Sequence, residues 1–209
     1  MAIIRTYNKA LMNKCETYDF AKLFAKKGYA FFTKGAYNLN IIGVRASGKT
    51  VTNLFDDVIV VIYSTPDGLR RQRVYSATTD PGIRSMTNPV NSKGAAILVP
   101  NQYRGCWKIG LHKGKYSALV QIKNVQVYRD GNRDAIYDCS PTKIDNGVFG
   151  INIHKAGNAT TTIDSWSAGC QVFRRADDFK SFMYLCKLQI EQGLGETFTY
   201  TLLEEEDLV

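Results

Sequence analysis

The sequence predicts an α+β fold that is mainly β, with helices at its N-terminal side and one long helix near its end. Three observations carry this: helical spacing of apolar residues over 8–27, short β-branched and aromatic runs from about Asn38 to Val127, and a second helical stripe after Asp177. The 209 residues, 44% hydrophobic, suffice for one substantial core, and no repeat or low-complexity linker calls for another. The division expected is an N-terminal helical extension over 1–37, packed on a main domain over 38–209.

In NKALMNKCETYDFAKLFAKK, residues 8–27, Leu11, Cys15, Tyr18, Phe20, Leu23 and Phe24 recur at roughly helical intervals, and Gly28 follows as a stop. One or two amphipathic helices are expected. LNIIGV, VIVVIY, RRQRVYSATT, AAILVP, WKIGLH and ALVQIKNVQVY then read as strands, separated by Pro, Gly and Asn. DDFKSFMYLCKLQIEQG has an acidic start, an apolar stripe through Phe179, Phe182, Met183, Leu185, Cys186 and Ile190, and Gly193 as its end. A last strand, TFTYTLL, precedes an acidic EEED tail.

Residues 43–50, GVRASGKT, fit the phosphate-loop pattern G-x-x-x-x-G-K-[ST]. That loop works where a helix leaves it, so that N-terminal amides face phosphate. Here VTNLFDDVIVVIY turns β-branched within a few residues, and no apolar strand ends convincingly in the carboxylate that magnesium needs. The stretch therefore reads as a β-turn with an exposed Lys49.

DGNRDAIYD, residues 130–138, spaces Asp130, Asn132 and Asp134 like the opening of a calcium loop. Position six is Ala135 rather than Gly and position twelve Pro141 rather than Glu, so the twelve-residue geometry fails and a turn is expected. His112 in IGLHKGKY reads as a strand-end or surface histidine. Arg70, Arg71 and Arg73, with Lys108, Lys113 and Lys115 near Trp107 and Tyr116, read as a solvated basic face, since no recognition helix or RNA-binding sheet signature accompanies them.

The net charge of +8 implies attraction to polyanions: nucleic acid, an anionic membrane face or the acidic polymers of a bacterial wall. No window reaches the length of a bilayer span and no export signal is legible, so synthesis in a host cytoplasm without membrane insertion is expected. Five cysteines at irregular spacing form neither paired zinc knuckles nor a disulfide framework, and no metal or cofactor is expected.

Chemistry concentrates in FGINIHKAGNATTTIDSWSAGCQVF, residues 149–173. His154 follows a strand-like segment, and Cys170 lies sixteen positions later behind Ser167-Ala-Gly. Small residues before a cysteine permit a tight turn that presents amide N–H groups to an oxyanion, and a histidine can take the thiol proton and return it to a leaving amine.

This order resembles the L,D-transpeptidase catalytic motif, in which a histidine strand precedes a Gly-containing loop and a Ser/Thr-His-Gly-Cys turn. Val74 to Gly82 is similar to the family's preceding strand and Gly94 to Tyr103 to its following loop, so the likeness spans roughly 50–190. The family has His where Ala168 stands and an Arg or Asn near Gln171 and Phe173. The resemblance implies a β-sandwich-like catalytic domain acting on peptidoglycan stem peptides. It makes Cys170 the nucleophile and His154 the base, places an oxyanion hole around Gly169 and Cys170, and gives Ser167 the task of fixing the loop and the imidazole. A backbone carbonyl or a carboxylate such as Asp164 would orient His154. The divergent WSAGCQVF form looks like that of proteins of tailed bacterial viruses, which implies an endolysin-like, bacteriolytic hydrolase acting on the wall after release. The alternative is a catalytically inactive wall-binding or virion structural module.

Overall fold

Asn8 and Asp19 each set a side-chain oxygen against the amide three residues on, at 3.1 and 3.2 Å, and so start α1 (Lys9–Thr17) and α2 (Phe20–Lys27). Gly28, at φ 70°, ends α2 with its amide on the Ala25 carbonyl. The computed structural model describes residues 8–158 and 160–209, so the first seven residues of the expected extension lie outside it. Leu11, Cys15, Phe20 and Phe24 of this helical pair share one apolar cluster with Val58, Val60 and Ile62.

Eight strands close into a barrel: β1 (Asn40–Arg45), β2 (Asp57–Ser64), β3 (Arg70–Thr78), β5 (Gln102–His112), β6 (Tyr116–Gln121), β9 (Ile153–Lys155), β10 (Gln171–Phe173) and β11 (Thr197–Glu204). Their order is β1-β11-β5-β6-β9-β10-β3-β2. The remaining strands, β4 (Ala95–Leu98), β7 (Val125–Asp130) and β8 (Ile144–Gly147), form a separate sheet ordered β4-β7-β8. The chain is thus α+β and mainly β, and its main sheet closes on itself instead of facing a second sheet as a sandwich would. Closure follows from strands such as β2, apolar on both faces: Val58, Val60 and Ile62 meet the helices, while Ile59, Val61 and Tyr63 enter the central core.

That core joins Trp107, Tyr200, Phe198 and Phe173 to Phe179, Phe182 and Cys186 of α4 (Ala176–Glu191). Gly43 in β1 has a packing reason, because a Cβ there would stand 1.8 Å from the Tyr200 hydroxyl. Several details differ from the sequence reading. ALVQIKNVQVY is two strands in different sheets, broken where the Ile122 amide turns to the Cys106 carbonyl. The short helix α3 (Ile83–Thr87) and the half-exposed β8 carry too little apolar periodicity to be read. The EEED segment winds into a 3₁₀ turn, Glu205–Asp207, closed by reciprocal bonds between Glu204 and Asp207.

Candidate active site

The strands β9 and β10 run parallel, with Ile153 opposite Gln171 and His154 opposite Val172. The Gln171 amide donates to the Asn152 carbonyl at 2.9 Å, so Cys170 enters the ladder beside Asn152. Side chains alternate along strands, which puts Asn152, His154, Cys170 and Val172 on one face and Ile153 and Phe173 on the core face. Cys170 and His154 therefore lie two residues out of step on neighbouring strands of a shared face.

Adjacent strands complete a cluster around His154. His112 ends β5 and Tyr116 begins β6 across a tight hairpin, in register with each other. The His112 and His154 rings stack at 4.0 Å between centroids with a 24° interplanar angle. Expected as a strand-end or surface residue, His112 is at a strand end but is 7% exposed, buried by that stack.

The hydrogen bonds assign both tautomers. His154 Nδ1 lies 2.9 Å from the Lys155 carbonyl, which can only accept, so Nδ1 carries the proton and Nε2 the free lone pair. Tyr116 Oη sits 3.3 Å from the same nitrogen and donates to the same carbonyl. Asn152 Oδ1 accepts from the Gln121 amide, so its Nδ2 donates to His112 Nδ1 at 3.1 Å. Burial, then the charge of His112, lowers the His154 pKa to about 3, so the ring is neutral near neutral pH.

The orienting group for His154 is thus the Lys155 carbonyl, one of the two alternatives read from the sequence. The other, Asp164, is engaged elsewhere: its carboxylate accepts from Asn53 Nδ2 and Thr162 Oγ1, both at 2.7 Å, and its own amide donates to Asn53 Oδ1.

Ser167 fixes the cysteine loop. Its buried hydroxyl donates to the Cys170 carbonyl at 2.8 Å and accepts the Gly169 amide at 3.1 Å, while its carbonyl takes the Gly82 amide and the Ser85 hydroxyl. The Gly169 amide is therefore committed to Ser167 and is not turned toward an incoming oxyanion. Ser167 makes these contacts within its own loop and with Gly82 and Ser85, not with the imidazole. Gly169 itself is required, since its φ is 120° and a Cβ would lie 2.3 Å from the Ala96 carbonyl. Gln171, where the family places a polar ligand-binding residue nearby, points inward: it accepts from Tyr200 Oη at 2.7 Å and donates to the Thr79 and Gly169 carbonyls.

Cys170 is partly exposed and its Sγ donates to the Gly150 carbonyl at 3.4 Å. Burial pushes its thiol up, against the lowering pull of the Asn152 N–H and the Lys113 charge. The other four cysteines are also raised by burial, Cys15 to about 12 and Cys139 to about 11, so position rather than acidity sets Cys170 apart. At rest the pair is a neutral thiol and a neutral imidazole.

Beside the loop lies a hollow of about 450 Å³ whose lining includes Ala168, Ala96, Phe149, Ser85 and Arg129. The Arg129 guanidinium stacks 4.7 Å over the Phe149 ring, and its Nε pairs with Asp145 at 3.0 Å. A larger hollow, about 800 Å³, lies between Tyr37, Tyr63, Arg73, Tyr75 and α4, and neither His154 nor Cys170 lines either hollow.

GVRASGKT enters from β1 and leaves without a helix; its Thr50 instead bridges to Ile136. Its amides are already taken by carboxylates, Ala46 N–H by Asp57 at 2.7 Å and Ser47 N–H by Glu205 at 2.9 Å. Carboxyl oxygens thus already occupy two of the donors a phosphate would need. No protein-family model, curated protein or solved structure matches this chain.

Proposed function

We propose that the chain is an L,D-transpeptidase-like cysteine peptidase that cleaves an amide bond in peptidoglycan stem peptides or cross-links, an endolysin-like bacteriolytic hydrolase of a bacterial virus. The observation that carries this reading is the placement of His154, held as the Nδ1–H tautomer by Lys155 O, on the face that Cys170 shares from the next parallel strand. That tautomer leaves Nε2 as the proton acceptor a cysteine nucleophile needs.

The reaction would begin with rotation of the Cys170 thiol away from the Gly150 carbonyl and transfer of its proton to His154 Nε2. Sulfur then attacks the carbonyl carbon, and the oxyanion takes the Cys170 N–H. Collapse breaks the C–N bond as the imidazolium gives its proton to the leaving amine. Water, giving a proton to His154, attacks the thioester; the C–S bond breaks, the Cys170 thiolate takes the proton back from the imidazolium, and the new carboxyl group is released. The hollow beside Ala168 would receive the peptide; its Arg129 guanidinium is already held by Asp145, the Gly94 carbonyl and the Phe149 ring, so recognition of a substrate carboxylate would fall to other groups.

A second reading, a wall-binding or virion structural module without turnover, is favoured by the raised Cys170 thiol, by the lowered basicity of the buried His154 ring and by the resting bond of Cys170 to Gly150. Incubating purified peptidoglycan with wild type and Cys170→Ala and identifying fragments by mass spectrometry separates the two. New fragments from wild type alone support the peptidase; identical profiles with retained binding to the sediment support the module.

A further inference from the structure

We propose that the hollow between Tyr37 and α4 binds a neutral oligosaccharide, at a site separate from Cys170. Pairing of β2 with β3 builds its floor: Ile59 stands opposite Tyr75 and Val61 opposite Arg73, so Tyr63, Arg73 and Tyr75 share one face of the sheet. Tyr63 and Tyr75 are buried there, at 6% and 8% exposure. The helix α4 forms the other wall through Asp177, Ser181, Tyr184 and Leu188, spaced at helical intervals of three and four. Tyr184 stands at the rim, 62% exposed. The space, about 800 Å³, falls within the range of small-ligand sites, roughly 300–1,000 Å³.

Tyrosines converge on this space from separate elements. The Tyr37 and Tyr63 rings stack at 5.7 Å between centroids with 27° between their planes. Tyr37 holds this pose at φ 58°, a conformation that a bulky side chain rarely adopts, with its amide on the Ser64 carbonyl at 2.8 Å. Backbone strain of this kind gathers at ligand-binding positions, where a side chain is held for contact. Arg73 lies against the Tyr63 hydroxyl, and burial raises the Tyr75 phenol to about 12, so the floor presents hydrogen-bond donors as well as ring faces.

The charges narrow the ligand class. Among the described residues, Arg73 and Lys180 line the hollow together with Asp177 and Asp178, a local balance on a chain whose net charge is +8. That balance gives no net attraction to phosphate or to a polyanion. Pyranose rings fit it, because their C–H faces lie on tyrosine rings while their hydroxyls donate to carboxylates and accept from guanidinium and ammonium groups. The glycan strand of peptidoglycan has this chemistry, and to that extent the inference builds on the peptidase reading. Such a site would keep the protein on the strand between cleavages of the stem peptides.

The test is titration of ¹⁵N-labelled Cys170→Ala protein, which binds without turnover, with chitotetraose, with cellotetraose and, as an anionic control, with inorganic phosphate. Amide shifts at Tyr63, Arg73, Ser181 and Tyr184 should saturate with at least one tetrasaccharide, at concentrations where phosphate moves none of them. Two further variants are made in the same background: Tyr184→Ala, at an exposed helix position, and Tyr37→Gly, which suits the positive φ. Each should weaken binding by about fivefold or more, with thermal melts showing both folded. No saturable shift from either tetrasaccharide, shifts confined to another part of the chain, or unchanged affinity in either variant overturns the proposal, as does saturation by phosphate alone. Peptidoglycan turnover by wild type is measured in parallel, so failure of the glycan site and failure of the peptidase reading are seen separately.

Discussion

At the residue scale, His154 concentrates the consequences. Its imidazole is 2% exposed, stacked on His112 and held by Lys155 O, an arrangement suited to the neutral ring. In the unfolded chain it would titrate near 6.5, whereas in the folded chain it does so at about 3. Between those values the unfolded state binds a proton that the folded state refuses, so this contribution is intact above pH 6.5 and is lost as pH falls toward 3. Thermal melts of wild type should therefore lose more Tm between pH 7 and pH 4 than those of His154→Gln; equal losses would show that the ring is not held neutral. The same substitution should lower peptidoglycan turnover by about 10²–10⁴-fold, the usual worth of a positioned general base, with little change in KM.

Cys170 and His154 were legible as residue types in a promising order, and one orienting alternative, a backbone carbonyl, matches Lys155 O. The rest of the cluster was less visible. Asn152 sits two residues before His154, and period-two alternation does place both on one face. His112 and Tyr116 come from a different hairpin, and only the β5-β6-β9 neighbourhood brings them to His154. No local pattern encodes that adjacency. Asp164 illustrates the reverse case, an acid near in sequence whose positive φ of 43° and bonds to Asn53 and Thr162 tie it to another turn.

At the scale of elements, the turn before β10 depends on two residues with different roles. Ser167→Ala would leave the Cys170 carbonyl and the Gly169 amide without their shared partner in a buried place. A loss of about 1–3 kcal/mol is expected in denaturant titration. Gly169→Ala combines an unfavourable φ with a Cβ 2.3 Å from Ala96 O, so it should destabilise more than Ser167→Ala. An Ala at 169 that left the unfolding midpoint unchanged would mean the turn is not as described. The strands themselves were readable because β-branched runs bounded by turn residues have few other uses. Sheet membership was not, since β6 and β7 read as one run yet part at a three-residue break.

For the whole molecule, the helical pair and the barrel act as one stability unit. Barrel side chains Val58, Val60 and Ile62 form a single cluster with Leu11, Phe20 and Phe24. Removing residues 1–37 should expose this apolar face and give an aggregating or unfolded product, visible as loss of a cooperative melt. A truncated protein that melted cooperatively at the wild-type temperature would make the extension an accessory. The sequence predicted one body of helices and strands; barrel closure depends on pairings such as parallel β1-β11, between residues about 160 positions apart, which no local window contains.

The same scale places GVRASGKT. Its first glycine clears space for Tyr200, whose hydroxyl holds Gln171 beside Cys170, and its last residues pair with the 130–138 loop. The segment links the barrel to the candidate site, and Lys49→Ala should leave peptidoglycan turnover unchanged.

The central claim is hydrolysis through a thioester on Cys170. Its most direct test is digestion of purified peptidoglycan in H₂¹⁸O by wild type and by Cys170→Ala, with mass spectrometry of the released peptides. Wild type is predicted to yield fragments with one ¹⁸O in the new carboxyl group and the variant none. The same labelled fragments from both proteins would contradict the assignment.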